Sequence, residues 1–156
     1  MNTPNRREMI NRAAMLLDAG YRTTIVALDT GLNGQYLREL HKEITGRPPR
    51  AGQLPEADAI VNTRRVLVEG SLLMGLYVEI GGPEVYRQVD LDALSRAYRA
   101  YLQARKEACL PDTKPWRRLT LNEGWVLARD LRSRQAALKR CSCGCLYLMV
   151  SRQRIH

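Results

Sequence analysis

The sequence is poor in the groups that catalysis, secretion and membrane insertion rely on. It has two histidines, His41 and His156, and neither stands at a recognisable motif spacing from a Ser, Asp or Cys, so no nucleophile-and-base set is offered. No phosphate loop is present either: Gly81, Gly82 and Pro83 read as a helix stop, with no Lys followed by Ser or Thr behind them. Of four cysteines, three crowd together as Cys141, Cys143 and Cys145. A disulfide framework would spread its pairs along the chain, so metal ligation or reduced thiols fit better. No stretch reaches the roughly 18 uninterrupted apolar residues of a membrane span; Gly70 to Val78 comes nearest and is bounded by Glu69 and Glu79. Met1 to Arg7 leads into a short amphipathic helix rather than an apolar core, so no secretory signal is expected and the chain is expected in the cytoplasm. There is no internal repeat and no low-complexity tract.

What is abundant is positive charge. The formal net charge is +9, from 25 Lys and Arg against 16 Asp and Glu. Residues 1 to 50 carry eight basic and five acidic groups, residues 51 to 126 ten of each, and residues 127 to 156 seven basic and one acidic. A balanced centre with basic ends is the pattern of a packing core whose ends meet a polyanion. The basic ends lack the Trp- or Leu-rich amphipathic face of a membrane-lying helix, which leaves nucleic acid ahead of a membrane surface. An ordinary solvated basic face is the alternative.

Periodicity predicts an all-α fold: a helix-turn-helix-containing helical domain with a small cysteine-containing carboxy-terminal tail. Arg6 to Ala19 places Met9, Ile10, Ala13, Leu16 and Leu17 on one face, and Gly20 stops it. Thr45 to Pro55, TGRPPRAGQLP, cannot continue a helix. Ala57 to Ile80 is expected as one long apolar helix, with Ile60, Val66, Leu67, Leu73, Met74 and Tyr77 at helical spacing. Asp90 to Lys106 follows, acidic in its first turn and basic in its last, as the helix dipole prefers. The last helix spans about Thr120 to Leu138 and buries Leu121, Trp125, Leu127, Ala128 and Leu131. Before residue 146 no alternating strand run is read; Leu146 to Val150 is expected as a short strand. The parts are then 1–46, an amino-terminal helix and helix-turn-helix; 47–56, a Pro/Gly linker; 57–140, a helical core and partner-binding region; and 141–156, a shortened cysteine tail. Cys109 is expected as a small buried hydrophobe, and Trp125 as core rather than as a base-stacking ring like that open to Trp116.

Residues 23 to 42, TTIVALDTGLNGQYLRELHK, carry the functional expectation. Thr23 to Thr30 forms a short helix, Gly31 to Asn33 the turn, and Gly34 to Ile44 a second helix. Ala27 is small enough for a steep crossing and Gly31 tolerates positive φ. Val26, Leu32, Leu37, Leu40 and Ile44 form the inward stripe, with Leu37 and Leu40 as pins. Asn33 caps the second helix. Asn33, Gln35, Arg38, Glu39 and Lys42 then face outward, residue types that bond base edges and phosphates from an early position on a recognition helix. His41 reads as a surface or phosphate-contacting histidine. The alternative is a plain helical hairpin within a helical core.

Three segments resemble the flagellar transcriptional activator FlhC family: YLRELHKEITGRPPRAGQLP, LSRAYRAYLQ from Leu94 to Gln103, and LNEGWVLARDL running into the cysteines. The likeness covers roughly Arg6 to Val150. It implies an all-helical DNA-binding subunit with a carboxy-terminal zinc site, working as a hetero-oligomer with FlhD, a small helical protein, and recruiting RNA polymerase to double-stranded promoter DNA. Family members on conjugative elements imply transfer genes as an alternative target to flagellar ones. The family's first cysteine pair maps onto Cys141, Cys143 and Cys145, written CSCGC, with one residue between ligands where the family has two. Its second pair has no counterpart before His156. Three thiolates and His156 would make the four ligands a structural zinc requires; a cluster of free thiols is the alternative.

The expected function is a DNA-binding activator subunit. Asn33, Gln35, Arg38 and Lys42 form its reading helix, and Arg129, Arg132, Arg134, Lys139 and Arg140 its phosphate contacts. The rival is an interaction module that binds or inhibits a regulator through the long apolar helix without touching DNA.

Overall fold

The computed structural model describes residues 3–151. The chain divides into two compact units between Gln53 and Leu54, inside the Pro/Gly-rich segment.

The first unit is three helices, α1 (Arg6–Ala19), α2 (Thr23–Thr30) and α3 (Gly34–Thr45), each packed against the other two. Local signals set their ends. Asn5 and Glu8 form a capping box on α1, which satisfies two otherwise orphaned N–H groups. At the other end Gly20 adopts φ 106° and its N–H donates to the Leu16 and Leu17 carbonyls, a left-handed cap that any side chain would strain. Ala13, Leu16, Leu17, Tyr21, Ile25, Val26 and Leu37 are buried and form the core. Arg12 of α1 donates to Asp29 of α2 through Nε at 2.6 Å and Nη2 at 3.2 Å, a two-point bond that fixes orientation as well as contact.

The second unit holds α4 (Ala57–Ile60), α5 (Arg64–Gly81), a 3₁₀ turn (Gly82–Tyr86), α6 (Leu91–Glu107), α7 (Leu121–Arg132) and a hairpin of β1 (Ala136–Arg140) with β2 (Leu146–Val150). α5 is central, packing on α6, α7 and both strands. Its Gly70 lies beneath Leu148 and Leu127, and a Cβ there would stand 3.0 Å from Val61. The antiparallel hairpin runs in register from Ala136 opposite Val150 to Arg140 opposite Leu146. It is pinned to α5 by Leu148 N–H donating to Ser71 Oγ at 2.8 Å. By length and composition Arg64–Tyr86 is apolar enough to cross a membrane; α5 carries the buried, ion-paired Glu69 and packs one side on α6, α7 and the hairpin, while Val68 and Leu72 stay exposed.

Five expectations are corrected. Trp125, expected in the core, is only half-buried, its ring lying under the Arg129 guanidinium. The helix expected over Ala57–Ile80 is two, because Val61 leaves helical geometry and Thr63 caps α5 by accepting from Val66 N–H. The last helix ends at Arg132, not Leu138; Arg134 turns the chain at φ 63°, and Ala136–Arg140 pairs as a strand, since ladder bonds to β2 outweigh the helix propensity of Ala, Leu and Lys. That strand also lies before residue 146, where none was read. Cys109 is exposed at φ 54°, beyond the end of α6, and is no core residue.

Candidate nucleic-acid interface

The joint between α2 and α3 is built from side-chain bonds to backbone. Gly31 turns at φ 72° with its N–H donating to Ala27 O at 2.8 Å. The Thr30 hydroxyl donates to Val26 O at 2.7 Å, and Leu32 N–H donates back to it at 3.3 Å. Asn33 Oδ1 then accepts from the N–H groups of Gln35 at 2.8 Å and Tyr36 at 3.4 Å. Both ends of the turn are thereby satisfied, and the direction of α3 follows from them.

α3 is strongly two-sided. Leu37 is fully buried; Leu32, Leu40 and Ile44 are half-buried. Asn33, Gln35, Arg38, Glu39 and Lys42 are all exposed. Arg38 and Lys42 have no carboxylate or hydrogen-bond partner among the described residues, so their charges are uncompensated. Asn33 combines two roles: its carbonyl oxygen caps the helix while its amide N–H₂ stays exposed.

Beyond α3 the backbone runs without helix or strand through Pro48 to Ala51. His41 Nδ1 lies 3.0 Å from Arg47 O, and the Thr45 hydroxyl 3.1 Å from the same oxygen. His41 is therefore a tether for the following segment, with no phosphate role needed to explain it. Arg47 and Arg50 are exposed and were not among the expected contacts. The signal that could have found them is their position on either side of Pro48 and Pro49.

The basic residues of the second unit are placed less uniformly. Arg129 is engaged: it donates to Asp130 at 3.1 Å, lies 3.6 Å from Glu56, and sits over the Trp125 ring at 5.4 Å from its centroid. Arg132 is exposed but donates through Nε to Arg87 O at 3.1 Å. Arg134 lies in the turn after α7, and Lys139 and Arg140 lie on β1 rather than on a helix. Arg140 donates to Gly144 O at 2.7 Å; Arg134 and Lys139 are exposed with no partner among the described residues.

Cys141, Cys143 and Cys145 occupy the turn of the hairpin, closed by Cys141 N–H to Cys145 O and Gly144 N–H to Cys141 O, each 2.8 Å. All three thiols are exposed and free. The backbone N–H of Cys143, with its side chain, holds the Cys141 thiol below its ordinary pKa. The donor chemistry suits zinc. The number does not: among the described residues no group of three His, Cys, Asp or Glu is arranged to hold a metal, and His156 lies outside them.

Sequence reading missed the polar core of the second unit. Glu69, 2% exposed, accepts from Tyr101 Oη at 2.8 Å, from Arg105 through both Nε and Nη2, and from Arg117 N–H at 3.0 Å. Burial raises the Tyr101 hydroxyl well above its ordinary pKa, reinforced by Glu69. Arg117 forks onto Glu123 at 2.9 and 3.0 Å. Burial pushes the Glu123 carboxyl up, but the Arg117 fork and the Thr120 cap together outweigh it and hold the group below its ordinary value. Among the described residues no buried side-chain polar atom is left unsatisfied.

The first unit presents cations on one helix that no carboxylate among the described residues compensates, and such charges can meet a polyanion; the second pairs several ions in its interior but leaves Arg134 and Lys139 exposed without partners among the described residues. Comparison with known proteins makes this specific. The profile of the flagellar transcriptional activator (FlhC) matches residues 4–156. The chain is 33% identical over 132 residues to the flagellar transcriptional regulator FlhC of Verminephrobacter eiseniae (strain EF01-2), covering 80% of this chain and 69% of that one. It is 29% identical over 143 residues to the FlhC of Erwinia tasmaniensis, covering 91% and 77%, and 30% identical over 138 residues to that of Proteus mirabilis, covering 85% and 66%. The chain belongs to the FlhC family of flagellar transcriptional activators, and its relatives are regulators of transcription, not enzymes.

Proposed function

We propose that α2 and α3 act as a DNA-reading helix-turn-helix, with α3 in the major groove of promoter DNA and Arg38, Gln35 and Asn33 at base edges. Lys42 lies on phosphate, as do Arg132, Arg134, Lys139 and Arg140. Arg129, held by Asp130 and Glu56, is the least available of the expected phosphate contacts. The observation that carries this reading is the exposed row on α3: side chains able to bond bases, with cations that no carboxylate among the described residues compensates. Removing Arg38 costs about 1 to 3 kcal/mol at one base pair and relaxes preference there, whereas removing Lys42 weakens all sequences alike. Binding of Arg38→Ala and Lys42→Ala to a selected duplex and to random duplex distinguishes them. If Arg38→Ala binds both as the wild type does, α3 is not the reading helix.

The chain acts in a hetero-oligomer with an FlhD-like helical partner and recruits RNA polymerase to flagellar promoters or, on a mobile element, transfer promoters. An apolar surface consistent with a partner is present in the second unit, where Val68, Leu72, Tyr147 and Met149 are exposed. Zinc at Cys141, Cys143 and Cys145 is supported by three thiols within five residues and requires a fourth ligand from elsewhere; elemental analysis of the purified assembly tests it.

A further inference from the structure

The segment after α3 is a short cationic arm held at both ends. At its start Gly46 caps α3 with φ 72° and its N–H donates to Lys42 O at 2.8 Å, while His41 and Thr45 gather at the Arg47 carbonyl. At its far end Arg22, the residue preceding α2, donates through Nη1 to Gly52 O at 2.8 Å. Between these anchors stand Arg47, Pro48, Pro49 and Arg50. Each residue before a proline is restricted to extended backbone, and each proline fixes its own φ and removes an N–H. The run is therefore stiff, unable to fold back into a helix or join a sheet.

Neither the Arg47 nor the Arg50 guanidinium has a hydrogen-bond or carboxylate partner among the described residues, and both residues are exposed. An extended proline path repeats every three residues and rises about 3.1 Å per residue. Three residues apart across Pro48 and Pro49, Arg47 and Arg50 stand at most about 10 Å from each other along the chain, a span of roughly three base-pair steps. A narrow A·T-rich minor groove, about 6 Å wide in ordinary duplex, has enhanced negative potential and admits arginine. A stiff arm beside a helix in the major groove is placed to reach the adjoining minor groove.

The geometry points to Arg47 and Arg50 as a minor-groove clamp selecting an A·T-rich step beside the site read by α3. This rests on α3 reading the duplex, as proposed above. The clamp adds a second, chemically different contact: shape and potential rather than base-edge bonds.

Selection of the full chain on a randomised duplex pool tests it, comparing wild type with the Arg47→Ala/Arg50→Ala double variant. Wild type enriches a core motif flanked by an A·T run about half a helical turn away, with about tenfold preference over a G·C flank. The double variant enriches the same core with the flank preference lost. Because neither guanidinium has a hydrogen-bond or ion-pair partner among the described residues, the variant keeps its helical circular dichroism and melting temperature. A double variant that weakens A·T and G·C flanks equally shows phosphate contact only and overturns the clamp. Wild type that enriches a core with no A·T flank overturns the clamp while leaving α3 intact; wild type that enriches no core at all overturns both.

Discussion

The two units of this chain differ in how much of their charge is paired inside. In the second, the interior holds paired charges, while Arg134 and Lys139 stand exposed at the surface. Glu69 is buried beneath Arg105, Tyr101 and the Arg117 amide, Glu123 takes the Arg117 fork, and Arg129 lies between two carboxylates and a tryptophan. In the first, Arg12 and Asp29 form the internal pair, while Arg38, Lys42, Arg47 and Arg50 stand exposed without partners among the described residues. A buried ion pair is weak evidence of net stability, but removing one partner is costly because the other is stranded. An exposed cation contributes almost nothing to folding and is left free for a ligand. Nearly equal compositions thus yield an ion-paired core in the second unit and, in the first, a row of exposed cations on one helix.

The largest expected effects separate the two kinds of core. Glu69→Ala strands Arg105 and removes the acceptor of Tyr101, costing the second unit about 3 to 5 kcal/mol. Leu37→Ala removes the buried pin of α3 and costs the first unit about 2 to 5 kcal/mol through lost burial and a cavity. Hydrogen exchange read unit by unit shows each loss confined to its own unit if the cores are independent; a loss shared by both breaks the contrast.

A smaller effect sharpens it. Glu123 has its folded pKa held below the ordinary value, so its bonds to Arg117 and Thr120 stabilise in full above the ordinary carboxylate range. They are lost as pH falls through the lower folded value. Glu123→Gln therefore costs about 1 to 3 kcal/mol at neutral pH and shows less loss on acidification than wild type. Equal pH dependence in the two proteins, by thermal melts across the acid range, contradicts the assigned role.

The first unit was legible because its decisions are local. Asn5, Gly20, Gly31, Asn33 and Gly46 each end or begin a helix through bonds to residues within five positions, so the boundaries of α2 and the start of α3 could be read directly. The second unit was less legible because its decisions are remote. Glu69 reads only as the charge that bounds an apolar run, because its partner Arg105 lies 36 residues away. Ala136–Arg140 has a helical composition and becomes a strand only through Leu146–Val150. The break before α5 was hidden by apolar spacing that continues across Val61, although Thr63 supplied a capping signal. Arg47 and Arg50 were passed over because Pro-rich segments read as linkers, which conceals what their flanking charges offer.

The most direct test is the salt dependence of duplex binding by the full chain. Cations left uncompensated in order to meet phosphates release counterions on binding, so log K falls linearly with log salt, by about 0.9 for each phosphate neutralised. The slope shrinks by about one for Lys42→Ala. Affinity that stays flat across the titration would mean that these charges meet no polyanion, and that the exposed face of α3 serves a protein partner instead.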